Sequence, residues 1–222
     1  MFTFASSFFA GTGTVSAKSV DVVSISFSWS EASQCTQPDG SANPTCTQYK
    51  MTSAQYVART NVEFAKIGAL GTTIVVSSGD EGALGNLDKC KSGAPFDPGF
   101  PASSPHVLTV GATMLSASVS AAAGPAAGAP SDPICKDNGG CATSKDEVVC
   151  SYPYAGITSG GGFSHFAPRP AWQDTAVSTY LKNAKLPPSS MYNASGRGFP
   201  DISVVGHNYA VYFGAVGGSN FW

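Results

Sequence analysis

The chain has 222 residues, a net charge of −2 and 12% charged residues, about half of the roughly 25% that is typical of globular proteins. This balance argues against a nucleic-acid or acidic-polymer partner, and the sequence has no apolar window of about 18 residues that would predict a membrane span. A hydrophobic content of 42% is enough for one sizeable core, although 25 glycines and 15 prolines predict many turns.

The first predicted strand is residues 20–27, VDVVSISF, a β-branched apolar run. A polar, turn-rich segment follows, and we interpret residues 32–50 as a surface insertion. Residues 53–70 then have a helical pattern that Gly68 and Gly71 bring to an end. The apolar stripe of this helix, which we expect to lie close on a sheet, is formed by Ala54, Val57, Ala58, Val62, Ala65 and Ala69.

Two further apolar strands are predicted, TTIVVSS at residues 72–78 and HVLTVGA at residues 106–112. Strand–helix–strand units are almost always parallel and right-handed, so the pattern predicts an open α/β sheet. Ligands of such sheets bind beyond the carboxyl ends of the strands. Asp80 follows directly after the second strand and is therefore predicted at the functional edge. The alternative is an aspartate that caps a loop through backbone donors.

The rest of the chain contains a second insertion, a helix and a last apolar stretch. Residues 116–150 begin with a low-complexity run and are interpreted as that insertion. A helix is predicted around residues 172–185, and the last apolar stretch spans residues 202–216. The sequon Asn193-Ala194-Ser195 makes Asn193 a candidate glycosylation site. No histidine is flanked by a nucleophile motif, so a Ser-His-Asp triad is not predicted.

The six cysteines form no C-x-x-C pair and have no histidine at ligand spacing, which argues against zinc. Cys35 and Cys46 bracket a polar loop in the first insertion, and Cys135, Cys141 and Cys150 fall together in the second. Both patterns are typical of surface insertions held by disulfide bonds, and free buried thiols are the alternative. Disulfide bonds and a sequon both indicate the secretory pathway.

The stretch SSGDEG, residues 77–82, resembles a motif of the subtilisin clan, in which a strand ends in Gly-Asn-x-Gly. An aspartate in place of that asparagine is the mark of the sedolisins, or serine-carboxyl peptidases. The resemblance covers residues 20–216 apart from the two insertions, and it is greatest for the tripeptidyl-peptidase type. Five segments carry it in order: VVSISFSWSE, SSGDEGA, FPASSPHVLTVGAT, TSGGGFSHFAPRPAWQDTAVSTYL and LPPSSMYNASGRGFPDISVVG.

The resemblance implies a subtilisin-like fold, a doubly wound and mainly parallel sheet flanked by helices, with residues 1–222 as a partial peptidase domain. It also implies acyl transfer by a serine whose base is a glutamate oriented by an aspartate, while a second, protonated aspartate donates to the oxyanion. That second role falls on Asp80, where a secluded, cation-poor site is expected to keep the acid neutral. The implied setting is a lysosome or an acidic extracellular space, the substrate a peptide or an unfolded protein, and the chain a monomer.

The sequence departs from the family pattern at both ends. The family's acid–base helix precedes the first strand, but residues 1–19 contain no acidic residue. In the serine motif Asn220 takes the position of the nucleophile, and a shifted register would offer Ser219 instead. The family's calcium site falls beyond Trp222, so no cofactor is expected in this chain. We expect a domain cut short at both ends and inactive as written; the alternative is a catalytically inactive descendant with a peptide-binding or structural role.

Overall fold

The computed structural model describes residues 1–12, 18, 20–37, 39–85, 95–115, 146–152 and 154–207. The chain divides into two compact units, Met1–Val110 with Gly160–Ile202, and Gly111–Ser159 with Ser203–Trp222. The helices are α1 (Phe2–Ala10), α2 (Pro44–Tyr49), α3 (Ser53–Ala69) and α4 (Asp174–Asn183). The strands are β1 (Val22–Ile25), β2 (Trp29–Ser30), β3 (Thr73–Ser77), β4 (Gly99–Phe100), β5 (Leu108–Leu115), β6 (Glu147–Val149), β7 (Gly162–Pro168), β8 (Gly196–Phe199) and β9 (Ile202–Val205).

The sheet of the first unit is parallel. β1 pairs with β3, with Val22 opposite Thr73, and β3 pairs with β5, with Val75 opposite Leu108. β9 also pairs with β5. The β-branched runs that predicted these strands pack well on a pleated surface and explain why the strands form here. The predicted α/β fold, with a mainly parallel sheet flanked by helices, is confirmed.

Helix α3 begins at a capping box. The Thr52 hydroxyl accepts from the Gln55 backbone N–H, and the Gln55 side chain accepts from the Thr52 N–H, so two free backbone donors are satisfied. The predicted bounds of 53–70 match to within one residue. The helix buries its side toward the core with five residues, namely Tyr56, Val57, Thr60, Phe64 and Ile67.

The predicted sheet-facing stripe of α3 is therefore wrong apart from Val57. Val62 is 53% exposed, and the alanines of the stripe are half-buried or exposed along an outer groove. Phe64 and Ile67 are nearly inaccessible, and Phe64 stacks on Phe100 of β4 at 6.1 Å between ring centroids. Burial of large apolar side chains yields more free energy than burial of alanine, so the larger residues set the rotation of the helix.

Helix α1 packs against α3 and closes one end of the first unit's core. Phe2, Ala5 and Phe8 are its buried residues, and Ala5 and Phe8 join the cluster that contains Phe64. The backbone N–H of Phe2 donates to the hydroxyl of Tyr56 at 3.0 Å. None of the described helices is long and apolar enough to cross a membrane.

A buried ion pair fixes the segment that leads from β8 toward β9. The Arg197 side chain is fully buried and bonds to Asp201 at 2.6 Å. Asp201 in turn accepts from the Thr109 backbone N–H at 2.7 Å, which connects the pair to β5. A charge at this depth is tolerable because it has an opposite charge and further hydrogen bonds.

In the second unit, the end of β5 pairs antiparallel with β6, with Thr113 opposite Val149. Strand β6 lies within the range predicted as an insertion, residues 116–150, so the last part of that range belongs to the sheet. Residues 116–145 lie outside the described residues. Met114, Val148 and Cys150 form a small core here, and Cys150 is a buried free thiol rather than part of a stapled loop.

The first insertion has the disulfide bond that its cysteine spacing suggested. Cys35 and Cys46 are bonded across 11 residues, and α2 carries the second of them. Cys90, Cys135 and Cys141 lie outside the described residues. Helix α4 is shorter than predicted, because residues 171–173 form a 3-10 turn before it starts at Asp174. Of the predicted apolar stretch 202–216, the described part is β9 and the two residues after it.

Candidate active site

The candidate site is at the carboxyl end of β3. The strand ends at Ser77, and the N–H of Ser78 still donates to the Val110 carbonyl at 2.9 Å. Gly79 then has a φ of 107°, a conformation that glycine adopts without strain. The chain turns away from the sheet at this point, and Asp80 is presented on the surface.

The glycine-rich segment that precedes β7 lies directly against this turn. The N–H of Gly160 donates to the Gly79 carbonyl at 2.8 Å. A Cβ atom on Gly160 would overlap the carbonyl oxygen of Ser78, and one on Gly161 would crowd the Phe199 carbonyl at 3.2 Å. Two backbones can approach this closely only where side chains are absent. The rim around Asp80 is therefore built from residues 78–80 and 160–161.

Asp80 has the predicted position but not the predicted surroundings. It follows β3 at the edge where ligands of open α/β sheets bind, as the sequence indicated. The sequence also predicted seclusion, whereas the residue is exposed. The difference arises because Gly79 turns the chain outward before Asp80 is reached. The role of Asp80 as an oxyanion donor stays a prediction.

A second aspartate lies buried beside the rim. Asp97 is 6% exposed, and its Oδ1 accepts from the Ser30 hydroxyl at 2.6 Å. Burial raises the pKa of Asp97, and the Ser30 hydroxyl and the His165 side chain oppose that rise. Its backbone N–H donates to the Ala83 carbonyl at 3.2 Å, which ties the residue to the turn that follows Asp80.

Glu31 is a fully buried carboxylate with three donors. Its Oε1 accepts from the hydroxyls of Ser103 at 2.9 Å and Ser164 at 2.5 Å, and its Oε2 accepts from the His165 N–H at 2.6 Å. Burial raises the pKa of Glu31 from its ordinary value, against the opposing effect of these donors. The side chain thus joins β7 to the loop after β4. The His165 ring continues the network through a 3.0 Å contact of Nε2 with the Phe96 carbonyl.

The sequence predictions did not single out Glu31 or Asp97. A weak signal exists, because each is an isolated acid among apolar and small residues in a chain with few charges. An isolated acid in such a stretch is also found on many surfaces, and burial of charge requires partners that are distant in sequence. Glu31 and Ser164 are 133 positions apart. Only the folded chain brings these groups together.

Asn193, the candidate glycosylation site, is half-buried and hydrogen-bonded. Its Nδ2 donates to the Ser164 carbonyl at 3.0 Å, and its Oδ1 accepts from the Ser195 hydroxyl at 2.7 Å. The other two predicted site residues, Ser219 and Asn220, lie outside the described residues. Among the described residues, no cluster of three or more His, Cys, Asp or Glu could hold a metal ion.

His106 and His165 line the same groove beside α3. His106 is exposed as a whole residue, and the partial burial of its ring lowers its pKa. His165 belongs to the Glu31 network through its backbone and its ring. His207 has a buried Nδ1 for which the described residues provide no hydrogen-bond partner.

Comparison with known proteins places the chain in a family through its sequence relatives, although no family model matches it. Physarolisin from Physarum polycephalum is 49% identical over 193 residues, which are 86% of this chain and 32% of physarolisin. Tripeptidyl-peptidase 1 is 39% identical in Mus musculus and 36% in Homo sapiens, in both over 160 residues that are 72% of this chain and 23% of the relative.

A solved structure of Pseudomonas sedolisin (serine-carboxyl proteinase), complexed with two molecules of pseudo-iodotyrostatin, is 23% identical and has a TM-score of 0.47. The alignment covers 90% of this chain and 40% of that one. The assignment therefore depends on the sequence relatives, of which the chain spans 32% at most. Since 49% identity extends over 86% of its residues, the chain belongs to the sedolisin family of serine-carboxyl peptidases.

Proposed function

We propose that this chain is part of a serine-carboxyl peptidase that hydrolyses peptide bonds at acid pH and releases short peptides from protein N-termini, as tripeptidyl-peptidases do. Two observations support the proposal: the identity with physarolisin and tripeptidyl-peptidase 1, and the position of Asp80 at the carboxyl end of β3. The substrate class is peptides and unfolded proteins. The disulfide bond between Cys35 and Cys46 supports a secretory route to a lysosome or an acidic extracellular space.

The structural observation that carries the proposal is the position of the Asp80 carboxyl group just after β3, on a rim of backbone. When a serine attacks a peptide carbonyl, negative charge develops on the carbonyl oxygen, and a fixed donor stabilises it. A carboxyl group can donate only when it is protonated, so this chemistry suits an acid medium. A Cβ atom on Gly79 would meet nothing within 4 Å, so the rim is open to a substrate backbone at this residue.

The serine nucleophile and the acid–base pair of the family pattern have no match in this sequence, and we propose that residues 1–222 alone do not turn over peptides. No acidic residue is present in residues 1–19, and Asn220 stands where the family's serine motif puts the nucleophile. An amide cannot attack an acyl carbon as a serine hydroxyl does. This substitution favours the second candidate, an inactive descendant that retains peptide binding.

The test is an assay at pH 4 of the chain expressed with the flanking sequence that its transcript encodes. Cleavage of a peptide with a free N-terminus is followed by mass spectrometry, which identifies the length of each product. We expect Asp80→Ala to lower kcat about 100- to 1,000-fold, the loss typical of an oxyanion donor. Asp80→Asn keeps a donor and is expected to retain more activity.

The matched control is Asp174→Ala, which removes an exposed aspartate whose partner is Arg169 on the surface. It is expected to leave kcat unchanged within about twofold, since exposed ion pairs contribute little. Full cleavage by Asp80→Ala would exclude the assigned role of Asp80. Peptide binding without cleavage by the wild type would favour the inactive descendant.

A further inference from the structure

A small cavity lies next to the rim that carries Asp80, wholly within the first unit. It has a volume of about 20 Å³. Its lining includes Ser30, Ser78, Asp80, Asp97 and Gly161, and none of the described lining residues is a lysine or an arginine. Among the described residues, the charged groups that line the cavity are therefore carboxyl groups. It borders the residue at which the proposed function places the reacting carbonyl.

The cavity differs from an ordinary surface depression because a buried oxygen of Asp97 lacks a hydrogen-bond partner among the described residues. Ser30 occupies its Oδ1, whereas its Oδ2 is buried and has no hydrogen-bond partner among the described residues. A buried carboxylate oxygen without a donor is costly, and such groups are rare in folded proteins. This oxygen and the cavity beside it are thus suited to a donor that comes from outside the chain.

Size and charge together narrow the identity of that donor. A volume of about 20 Å³ exceeds the roughly 10–15 Å³ that a water-sized group requires. An ammonium nitrogen is about that size and has three donors, while a planar guanidinium with five N–H groups is larger. A water molecule would also fit the volume and could donate to Oδ2, but only a cation would offset the charge that Asp97 carries when it is ionised.

We propose that this cavity is a subsite for a primary ammonium group of the peptide substrate, with Oδ2 of Asp97 as its counter-ion. The inference depends on the proposed function, because that function places the peptide at Asp80. Two sources of the ammonium are compatible with the geometry: a lysine side chain beside the reacting carbonyl, or the free N-terminus of a short peptide. Asp97 then acts as a specificity-determining residue.

Binding at pH 7 to the 222-residue chain tests the inference without requiring turnover. Isothermal titration calorimetry compares the N-acetyl methylamides of lysine, arginine and norleucine, and alanine methylamide with a free amino group. We expect the lysine compound to bind about tenfold more tightly than norleucine, as one charge-assisted hydrogen bond would give. Arginine is expected to lack this advantage because of its size. A preference for the alanine compound over its acetylated form would assign the site to the N-terminus.

The variant Asp97→Asn is expected to abolish the preference, because it retains an acceptor for Ser30 but loses the charge. Asp174→Asn is the control and is expected to keep it. A second measurement uses the wild type alone: methylammonium is expected to displace the lysine compound, and guanidinium is not. Equal binding of lysine and norleucine, or a preference that survives Asp97→Asn, would overturn the inference.

The outcomes separate this inference from the proposed function. Cleavage that depends on Asp80 together with equal binding of lysine and norleucine would leave the peptidase intact and remove the ammonium subsite. A lysine preference that depends on Asp97, in a protein that cleaves no peptide, would support the subsite in a non-catalytic binding protein.

Discussion

At the scale of single residues, the buried carboxyl group of Glu31 contributes to the free energy of unfolding through its hydrogen bonds. Removal of its carboxylate in Glu31→Ala leaves three buried donors without an acceptor, from Ser103, Ser164 and His165. Each such donor costs about 1–3 kcal/mol, so we expect the free energy of unfolding to fall by roughly 3 kcal/mol or more. Urea denaturation followed by tryptophan fluorescence measures the change.

Glu63→Ala is the matched control for this prediction. Glu63 has one partner, Lys66, whose side chain is 44% exposed, and helical pairs of this spacing contribute about 0.2–0.5 kcal/mol. A loss for Glu31→Ala no greater than that for Glu63→Ala would mean that the Glu31 network does not stabilise the fold.

The sequence predicted the position of Asp80, because the strand before it is visible as a local pattern. It could not predict the role of Glu31, because the partners of this carboxylate are distant in sequence and leave no local pattern.

At the scale of elements, the contact between the Gly160 segment and the end of β3 leaves no room for a side chain at position 160. Gly160→Ala introduces a Cβ that overlaps the Ser78 carbonyl, so the two backbones must separate. Overpacking of this kind costs about 1–3 kcal/mol, and we expect a lower Tm by circular dichroism. The same shift is expected to displace the rim that carries Asp80.

Gly68→Ala is the matched control, in which the same substitution is expected to raise Tm. Gly68 lies in α3, and a Cβ atom there meets nothing within 4 Å. Alanine in an exposed helical position stabilises by about 0.5–1 kcal/mol relative to glycine, so Tm is expected to rise. A fall in Tm for both variants would indicate a general effect of the mutations rather than crowding at the rim.

The sequence predicted the long elements well because their signals are local. The β-branched runs predicted β1, β3 and β5, and the helical periodicity that ends at Gly68 and Gly71 predicted α3. The rotation of α3 was wrong, since an alanine stripe and a Phe–Ile face fit the same period. Strand β6 was missed because three residues are too short for a pattern, and its pairing with β5 determines it.

For the whole molecule, few groups titrate, so each buried acid has a large share in how the free energy of unfolding depends on pH. Burial raises the pKa of both Glu31 and Asp97. Among the basic groups, burial lowers the pKa of His106 and of the N-terminal amine of Met1. The acids and the bases therefore change stability in opposite directions as the pH rises, and a variant is needed to separate them.

The sign for the acids follows from proton linkage. A carboxyl group with a raised pKa holds its proton more tightly in the folded state, so its contribution is full below the unfolded pKa of about 4 and is lost as the pH rises through the folded pKa. We expect the double variant Glu31→Gln/Asp97→Asn to lose less stability between pH 4 and pH 7 than the wild type.

Urea denaturation at several pH values measures this slope. Each unit of raised pKa corresponds to about 1.4 kcal/mol of the difference. The variant also loses stability because it lacks the carboxylate acceptor for the His165 N–H. This loss is the same at every pH, so it does not change the slope that is compared. A steeper loss in the variant than in the wild type would contradict the assignment. The expected direction, a greater contribution of these acids to stability at low pH, agrees with the acid medium of the proposed activity.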